Sequence, residues 1–185
     1  MNKFAFILWL SLVVYTIIYV LLIQADSMLF ISILQGEADP FAASFFNLMG
    51  LVPIYFLMDY LCFQPHSKWG VLPFLFGFVG GAFSILLGYQ KASASHRHNT
   101  KWIQFILITL MILTAVIMTQ AFWFGNPVLY VRLFLSDSLV GIMTVDFLVL
   151  YVWSIYRSKQ LFRNWYLASI PVIGFGLLML LNQRR

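Results

Sequence analysis

Long apolar runs separated by short polar segments dominate the pattern along this chain. A helix needs about 20 mainly apolar residues to cross the hydrocarbon core of a bilayer. Six runs meet this length and predict membrane-spanning helices at residues 4–23, 44–63, 70–89, 102–124, 136–154 and 165–182. Backbone amides in lipid need internal partners, and these runs lack the short alternating pattern of a β-barrel. The predicted fold is therefore an all-α polytopic transmembrane bundle, a single integral membrane domain over residues 1–185.

The longest connection lies between the first two runs. Its apolar part, residues 27–34, is too short to span a bilayer. Asp26 or Ser27 is suited to cap a helix there and Gly36 to end it, so we predict a short interfacial helix. The polar residues 93–100 predict an exposed loop.

Composition agrees with a membrane protein. Of the 185 residues, 62% are hydrophobic and 9% are charged, and the mean hydropathy is +0.91. A soluble domain carries about 25% charged residues. We therefore expect the lipid bilayer as partner, the cell membrane as location and no cofactor. The net charge of +5 lies on dispersed cations rather than on one basic face, so nucleic acid is not an expected partner.

The cations give a weak signal for topology. With six spans, the side of the N-terminus carries five of them: Lys3, Lys68, Arg132, Arg184 and Arg185. The other side carries six: Lys91, Arg97, Lys101, Arg157, Lys159 and Arg163. Near-equal numbers favour neither orientation under the positive-inside rule and also fit dual insertion. The concentration of cations at 91–101 and 157–163 favours a cytoplasmic position for these two segments.

Small residues recur in the third run at helical spacing. Gly77, Gly81, Ser84 and Gly88 are spaced four, three and four apart, which places them on one face of a regular helix. Such a face permits close approach of a second helix in a bilayer. The pattern predicts a packing face within the chain or, alternatively, one for a second copy or another membrane protein.

Six runs in two groups of three suggest an internal duplication. Residues 47–50 align with 138–141, and residues 56–57 with 147–148. The first run aligns with the fourth, where Ser11, Leu12 and Thr16 match Thr109, Leu110 and Thr114. The third and sixth runs share an early proline, Pro73 and Pro171. A repeated unit of three spans enters the membrane from the opposite side, as in the inverted repeats of transporters. The alignments use different offsets, so chance similarity is the alternative.

Asp146 lies close to the middle of the fifth run. A charged Asp at this depth costs about 2.5–3.5 kcal/mol on insertion scales, so such residues usually face the bundle or a wet cavity. Desolvation favours the protonated form, which suits a proton or cation site, with Thr144 or Asn47 nearby. The alternative is a protonated Asp that only makes hydrogen bonds between helices.

The second run carries a candidate cavity wall. Pro53 cannot donate to the carbonyl of Met49, and Gly50 lies beside that carbonyl, which predicts a kink or local unwinding. Freed backbone at membrane depth persists where protein or water satisfies it. With Asn47, these residues form either a polar intramembrane site or a structural bend.

The remaining polar residues predict no catalytic or metal site. Asp59 and Asp137 lie near predicted helix ends, within reach of solvent or headgroups, and Arg132 is an interfacial anchor or a partner for Asp137. His96 and His98 occupy the polar loop, without the acid or thiol that would complete a metal site. No known catalytic motif is present, so we expect no enzyme activity.

Residues 46–50 followed by Pro53, together with residues 145–148, resemble the pattern of an uncharacterised family of small multi-pass membrane proteins of bacteria and plastids. Val52 stands where that family carries a tryptophan. The resemblance implies that Asn47 and Asp146 form a matched pair and implies no substrate.

We expect a small transporter or permease-like protein in which Asp146 is a proton-sensitive group. The alternative is a non-catalytic assembly or accessory factor that uses the small-residue face. A membrane enzyme acting on lipid would need paired acids or histidines, and the sequence contains no convincing pair.

Overall fold

The computed structural model describes residues 3–22, 29–63, 71–90 and 101–183. Within these ranges every regular element is a helix. The α-helices are α1 (Lys3–Leu22), α2 (Leu29–Gln35), α3 (Pro40–Phe63), α4 (Leu72–Leu75), α5 (Gly77–Gln90), α6 (Lys101–Phe124), α7 (Pro127–Ser136), α8 (Ser138–Leu161) and α9 (Ile173–Gln183). A 3₁₀ helix, Trp165–Ser169, lies between α8 and α9.

Three helices of the described ranges are long and apolar enough to cross a membrane: α3, α6 and α8. Each has 24 residues. At 1.5 Å per residue they extend over about 36 Å, which exceeds the hydrocarbon thickness of about 30 Å. These helices identify an all-helical membrane protein.

The third apolar run is not the single helix predicted over 70–89. The chain forms the one-turn helix α4 and then α5, and within α5 the backbone of Gly81 leaves the helical region at φ 50° and ψ −138°. A side chain at this φ is strained, so the break depends on glycine. Gly77, Gly81, Ser84 and Gly88 therefore do not share one regular helical face.

The last run, 165–182, is also broken. The 3₁₀ helix ends at Ser169, and α9 begins only after Pro171 and Val172, whose φ is 61°. Eleven residues of α9 extend over about 16 Å, too short to span a bilayer alone. Pro171 explains this interruption, because proline removes a backbone donor and restricts the preceding residue.

Helix α3, by contrast, continues through Pro53, so the local unwinding predicted at Gly50 and Pro53 is wrong, while the alternative of a kink there stays a prediction. Pro53 is buried against α5: a Cβ placed on Gly77 would lie 3.1 Å from the Pro53 Cβ. The missing side chain at Gly77 lets α5 approach α3 at the proline. The site of irregular backbone is Gly81 of α5 instead.

The short helix predicted over 27–34 corresponds to α2. It is followed by Gly36 at φ 73°, the left-handed conformation that ends helices. The proposed caps Asp26 and Ser27 lie outside the described residues, as do the loop 93–100 and its histidines. The interfacial position of α2 stays a prediction.

The helices pack as a bundle with its core between α1, α3, α5, α6, α8 and α9. Helix α1 contacts α5 and α8, while α6 contacts α3 and α9. The largest buried side chains include Trp153, Tyr55, Tyr89, Phe56 and Phe74. The outer faces of α1 and α6 expose large apolar side chains such as Ile17, Ile112 and Phe122. An apolar exterior around an apolar core suits a protein surrounded by lipid.

Candidate functional site

Asp146 borders a cavity of about 330 Å³ between α1, α5 and α8. The lining residues are Leu12, Val13, Thr16, Ile17, Phe83, Ile142 and Asp146. Ile17 and Phe83 are also exposed on the exterior of the bundle. The cavity therefore opens at the outer surface between α1 and α5, and the Asp146 carboxyl group is its charged feature.

The break in α5 provides the hydrogen bond that Asp146 receives. The amide of Ala82 donates to Asp146 Oδ2 at 3.3 Å. This amide follows Gly81, where the backbone is not helical. A Cβ at position 81 would collide with the same carboxyl group, so glycine is required for the backbone angle and for the contact. A carboxyl group in this setting can exchange a proton or bind a cation.

The residues predicted to accompany Asp146 lie elsewhere. Asn47 is an exposed side chain of α3, and no hydrogen bond joins it to Asp146 among the described residues. The Thr144 hydroxyl lies 2.7 Å from the Tyr130 hydroxyl and donates to the Val140 carbonyl at 2.6 Å. Side chains two positions apart on an α-helix point about 200° away from each other, so Thr144 and Asp146 face different neighbours.

Gly50 and Pro53 do not line the cavity either. Both belong to α3, whereas the cavity walls come from α1, α5 and α8. A Cβ placed on Gly50 would meet no atom within 4 Å, so this glycine permits no close contact. Of the five predicted site residues, only Asp146 is among the described residues that line this cavity.

A second polar site, which sequence reasoning misses, joins α3, α5 and α8 through Asp59, Tyr89 and Arg157. Arg157 Nε donates to Asp59 Oδ2 at 3.1 Å, and the Tyr89 hydroxyl donates to the same oxygen at 2.5 Å. Asp59 is 0% exposed and Arg157 is 5% exposed. The guanidinium carbon also lies 5.5 Å from the centre of the Tyr89 ring. We call these three residues the buried ion-pair cluster.

The buried ion-pair cluster leaves part of its polar capacity unused. Asp59 Oδ1 and Arg157 Nη2 are buried without a hydrogen-bond partner among the described residues. The neighbouring Trp153 Nε1 and Ser158 Oγ are in the same state. Unsatisfied buried groups are costly, and a charge left without its partner costs more. We therefore expect substitutions in this cluster to lower the stability of the bundle.

The predictions for Asp59 and Arg157 are wrong for a common reason. The six-span pattern places Asp59 at an accessible helix end and Arg157 in a loop that follows the fifth span. Helix α8 instead continues to Leu161 and buries Arg157 inside the bundle, where it meets Asp59. A local signal exists: each charge is flanked by aromatic and aliphatic residues, in residues 54–63 and 150–157. Opposite charges in two apolar segments are the pattern of a buried pair.

The accessible helix end predicted for Asp137 is also wrong, because this residue is only 4% exposed. Its Oδ1 caps α8 by accepting from the amides of Leu139 and Val140, and its Oδ2 accepts from the amide of Leu29 at the start of α2. Arg132 is an exposed side chain of α7. Asp137 thus binds helix starts in two parts of the chain.

Asp39 makes the corresponding contacts at the start of α3. Its Oδ1 accepts from the amides of Phe41 and Ala42, and its carboxylate also accepts from the amide of Asn126, which precedes α7. Asp39 therefore caps α3 and binds the start of α7, which precedes α8. Asp137 caps α8 and binds the start of α2, which precedes α3.

Within the described ranges, no group of three or more His, Cys, Asp or Glu side chains lies close enough to hold a metal ion. His96 and His98 fall outside those ranges. Cys62 is buried in α3.

No protein-family model, curated protein or solved structure matches this chain. The resemblance to the uncharacterised membrane family stays a prediction.

Proposed function

We propose that this protein is a small transporter of the cell membrane in which Asp146 is the proton-sensitive group of the transport site. The observation that carries the proposal is the position of the Asp146 carboxyl group: it borders a cavity and accepts from the backbone amide that follows the break at Gly81. Helices broken at membrane depth, with free amides beside a bound group, recur at the sites of secondary transporters. An acid within the membrane is a functional candidate for the same reason.

We further propose six spans in two inverted three-helix units, with α4 and α5 forming the broken third span and the 3₁₀ helix and α9 the broken sixth. The order of elements supports this division. Each half has a long helix, a short helix, a second long helix and a broken segment. A shift of 98 residues, the separation of Asp59 and Arg157, carries Pro40–Phe63 onto Ser138–Leu161.

The same shift relates individual residues. It carries Lys3 onto Lys101, Thr16 onto Thr114, Asp39 onto Asp137 and Pro73 onto Pro171. It also replaces the alignment of 47–50 with 138–141. That alignment uses a shift of 91 residues, which is seven residues, or about two helical turns, smaller. One shift of 98 residues without gaps for all three spans supports duplication more strongly than the two offsets, 98 and 91 residues, that the separate alignments require.

The contacts across the two halves support the proposal too. Asp39 holds the start of α7, and Asp137 holds the start of α2, so the two caps exchange partners between halves. Helix α1 packs on α5 and α8 as α6 packs on α9 and α3. Asp146 breaks the correspondence, because the equivalent position is the buried Leu48. We infer that one unit has specialised for the transport site.

The test is the accessibility of position 146 to water. In a protein with Cys62→Ala, we would introduce Asp146→Cys and label it with a membrane-impermeant thiol reagent from each side. Ile142→Cys, which lines the same cavity, and Val140→Cys, which is buried in the same helix, are the matched comparisons. A transport route predicts labelling at 146 and 142 but not at 140.

The second candidate is an assembly factor, favoured by one observation: the Asp146–Ala82 hydrogen bond ties α8 to α5. In that case position 146 stays unlabelled from both sides in folded, inserted protein, and Asp146→Asn retains function. That pair of results would overturn the transporter proposal.

A further inference from the structure

The cavity at Asp146 combines one carboxyl group with mainly apolar walls. Thr16 contributes a hydroxyl group, Phe83 a ring, and the other lining side chains are aliphatic. Small-molecule sites commonly pair apolar walls with a few polar groups that fix orientation. A carboxylate and an aromatic ring both attract positive charge, the ring through its negative face. An organic monocation with hydrocarbon substituents satisfies both parts of this lining.

The protein itself supplies no counter-charge to this carboxylate among the described residues. No Lys, Arg or His is among the described residues that line the cavity. Arg157 of α8 is eleven residues away, about 16 Å along the helix, and pairs with Asp59. On the neighbouring helices, the ring of Tyr15 packs on that of Tyr19, the Tyr19 hydroxyl donates to the Phe134 carbonyl and Tyr89 donates to Asp59. The charge of Asp146 is thus available to a ligand.

The mouth of the cavity suits a ligand that arrives from the bilayer. Ile17 and Phe83 line the cavity and are exposed on the apolar exterior of α1 and α5. A hydrocarbon-rich cation that has partitioned into the membrane meets no polar barrier at these side chains. A strongly hydrated cation would lose its water shell against aliphatic walls with only Thr16 and Asp146 as oxygen partners.

We propose that this cavity binds a small lipophilic organic cation in exchange for the proton of Asp146. The inference rests on the proposed function, because it names the substrate class of the same site. In the exchange, the neutral carboxyl group releases its proton to water and the resulting carboxylate pairs with the cation. No covalent bond to carbon forms or breaks. Lower pH therefore weakens cation binding, since the proton competes for the same oxygen atoms.

The experiment measures binding of phenyltrimethylammonium to the full-length protein in lipid nanodiscs, with tert-butylbenzene as the neutral probe of the same shape. The neutral probe and protein-free nanodiscs report partition into lipid alone. We expect saturable binding of the cation, release of protons on binding in weakly buffered solution, and no saturable binding of the neutral probe.

Two matched pairs of variants locate the site. Asp146→Asn should weaken cation binding about tenfold or more, whereas Glu37→Gln, which removes an exposed carboxylate, should leave it unchanged. Phe83→Leu should weaken binding by several fold, because it removes the contact between the aromatic ring and the cation. Phe76→Leu, an exposed phenylalanine outside the cavity, should have no effect.

The outcomes separate this inference from the function on which it rests. Equal binding of both probes, or full cation binding by a folded Asp146→Asn protein, overturns the substrate class. If position 146 labels from water and the cation still fails to bind, the transporter proposal stands with a different substrate. If position 146 is sealed in folded protein, both proposals fall.

Discussion

At the scale of single residues, the buried ion-pair cluster is the most consequential feature of the bundle. Asp59 and Arg157 are both inside the protein and share one hydrogen-bonded contact. Removing one charge of such a pair leaves the other buried and uncompensated, which costs about 3–5 kcal/mol. Replacing both by apolar residues of similar volume avoids that penalty.

This contrast gives a prediction for a double-mutant cycle. Asp59→Leu and Arg157→Met should each lower thermal stability in detergent strongly, while the double variant should be more stable than either single variant. Lys159→Met, which removes an exposed cation of the same helix, is the control and should change stability little. Additive losses in the double variant would mean that the two charges do not depend on each other.

Gly81 is the second residue on which the site depends. Gly81→Ala places a Cβ against the Asp146 carboxyl group, and residues with a side chain rarely adopt the backbone angles found at this position. We therefore expect the free energy of unfolding to fall by about 1–3 kcal/mol. Gly50→Ala is the matched control: it lies within a regular helix with open space around it. Because Ala has the better helix propensity, that variant should be neutral or more stable by up to about 1 kcal/mol.

Thermal unfolding of both variants checks the prediction about Gly81. Equal effects of the two substitutions would contradict a specific role for the break.

At the scale of elements, the two aspartate caps act as reciprocal ties. Asp39 and Asp137 each begin a 24-residue helix and each accept a backbone hydrogen bond from the other half of the chain. Loss of an N-cap costs about 0.5–2 kcal/mol, and the cross-chain bond adds to this. The lengths of α3 and α8 arise from local apolar sequence, but the relative position of their starts depends on these carboxylates.

We therefore expect Asp39→Ala and Asp137→Ala to lower thermal stability by more than the cap alone explains. Asn126→Ala removes the side-chain cap of α7 but keeps the backbone amide that donates to Asp39, so it should cost only about 1 kcal/mol. Losses for the two aspartates no larger than that for Asn126 would contradict their role as ties between halves.

At the scale of the whole molecule, the burial of Arg157 changes the charge balance that governs topology. An arginine paired inside the bundle is not a loop cation. With the proposed six spans, the two sides then carry five cations each: Lys3, Lys68, Arg132, Arg184 and Arg185 against Lys91, Arg97, Lys101, Lys159 and Arg163. Equal numbers give the insertion machinery no preference under the positive-inside rule.

The proposed six spans, together with equal charge on the two sides, give a prediction for topology. A short tag inserted within residues 91–100 should lie on the side opposite to tags at the two termini, which share one side. Adding two lysines beside that internal tag should drive it to the cytoplasm. Protease protection of the tags in sealed vesicles measures this, and an internal tag on the side of the termini would contradict two units of three spans.

The sequence by itself determined the class of the protein and the approximate position of its long helices, although α8 continues to Leu161, beyond the predicted end at residue 154. Apolar run length is a local property, so α3, α6 and α8 follow from the residues they contain. The cost of an acid in lipid singled out Asp146 in the same way.

Only the tertiary structure decided which side chains meet. The backbone break at Gly81, the Ala82 amide at Asp146 and the pair between Asp59 and Arg157 depend on how distant helices pack. The apolar residues around Asp59 and Arg157 mark each charge as a candidate for burial, but nothing local shows that these two residues, 98 apart in sequence, contact each other. Sequence reasoning for this reason selects Thr144 and Asn47, near in sequence or in an assumed alignment, while the bundle brings other residues to the sites.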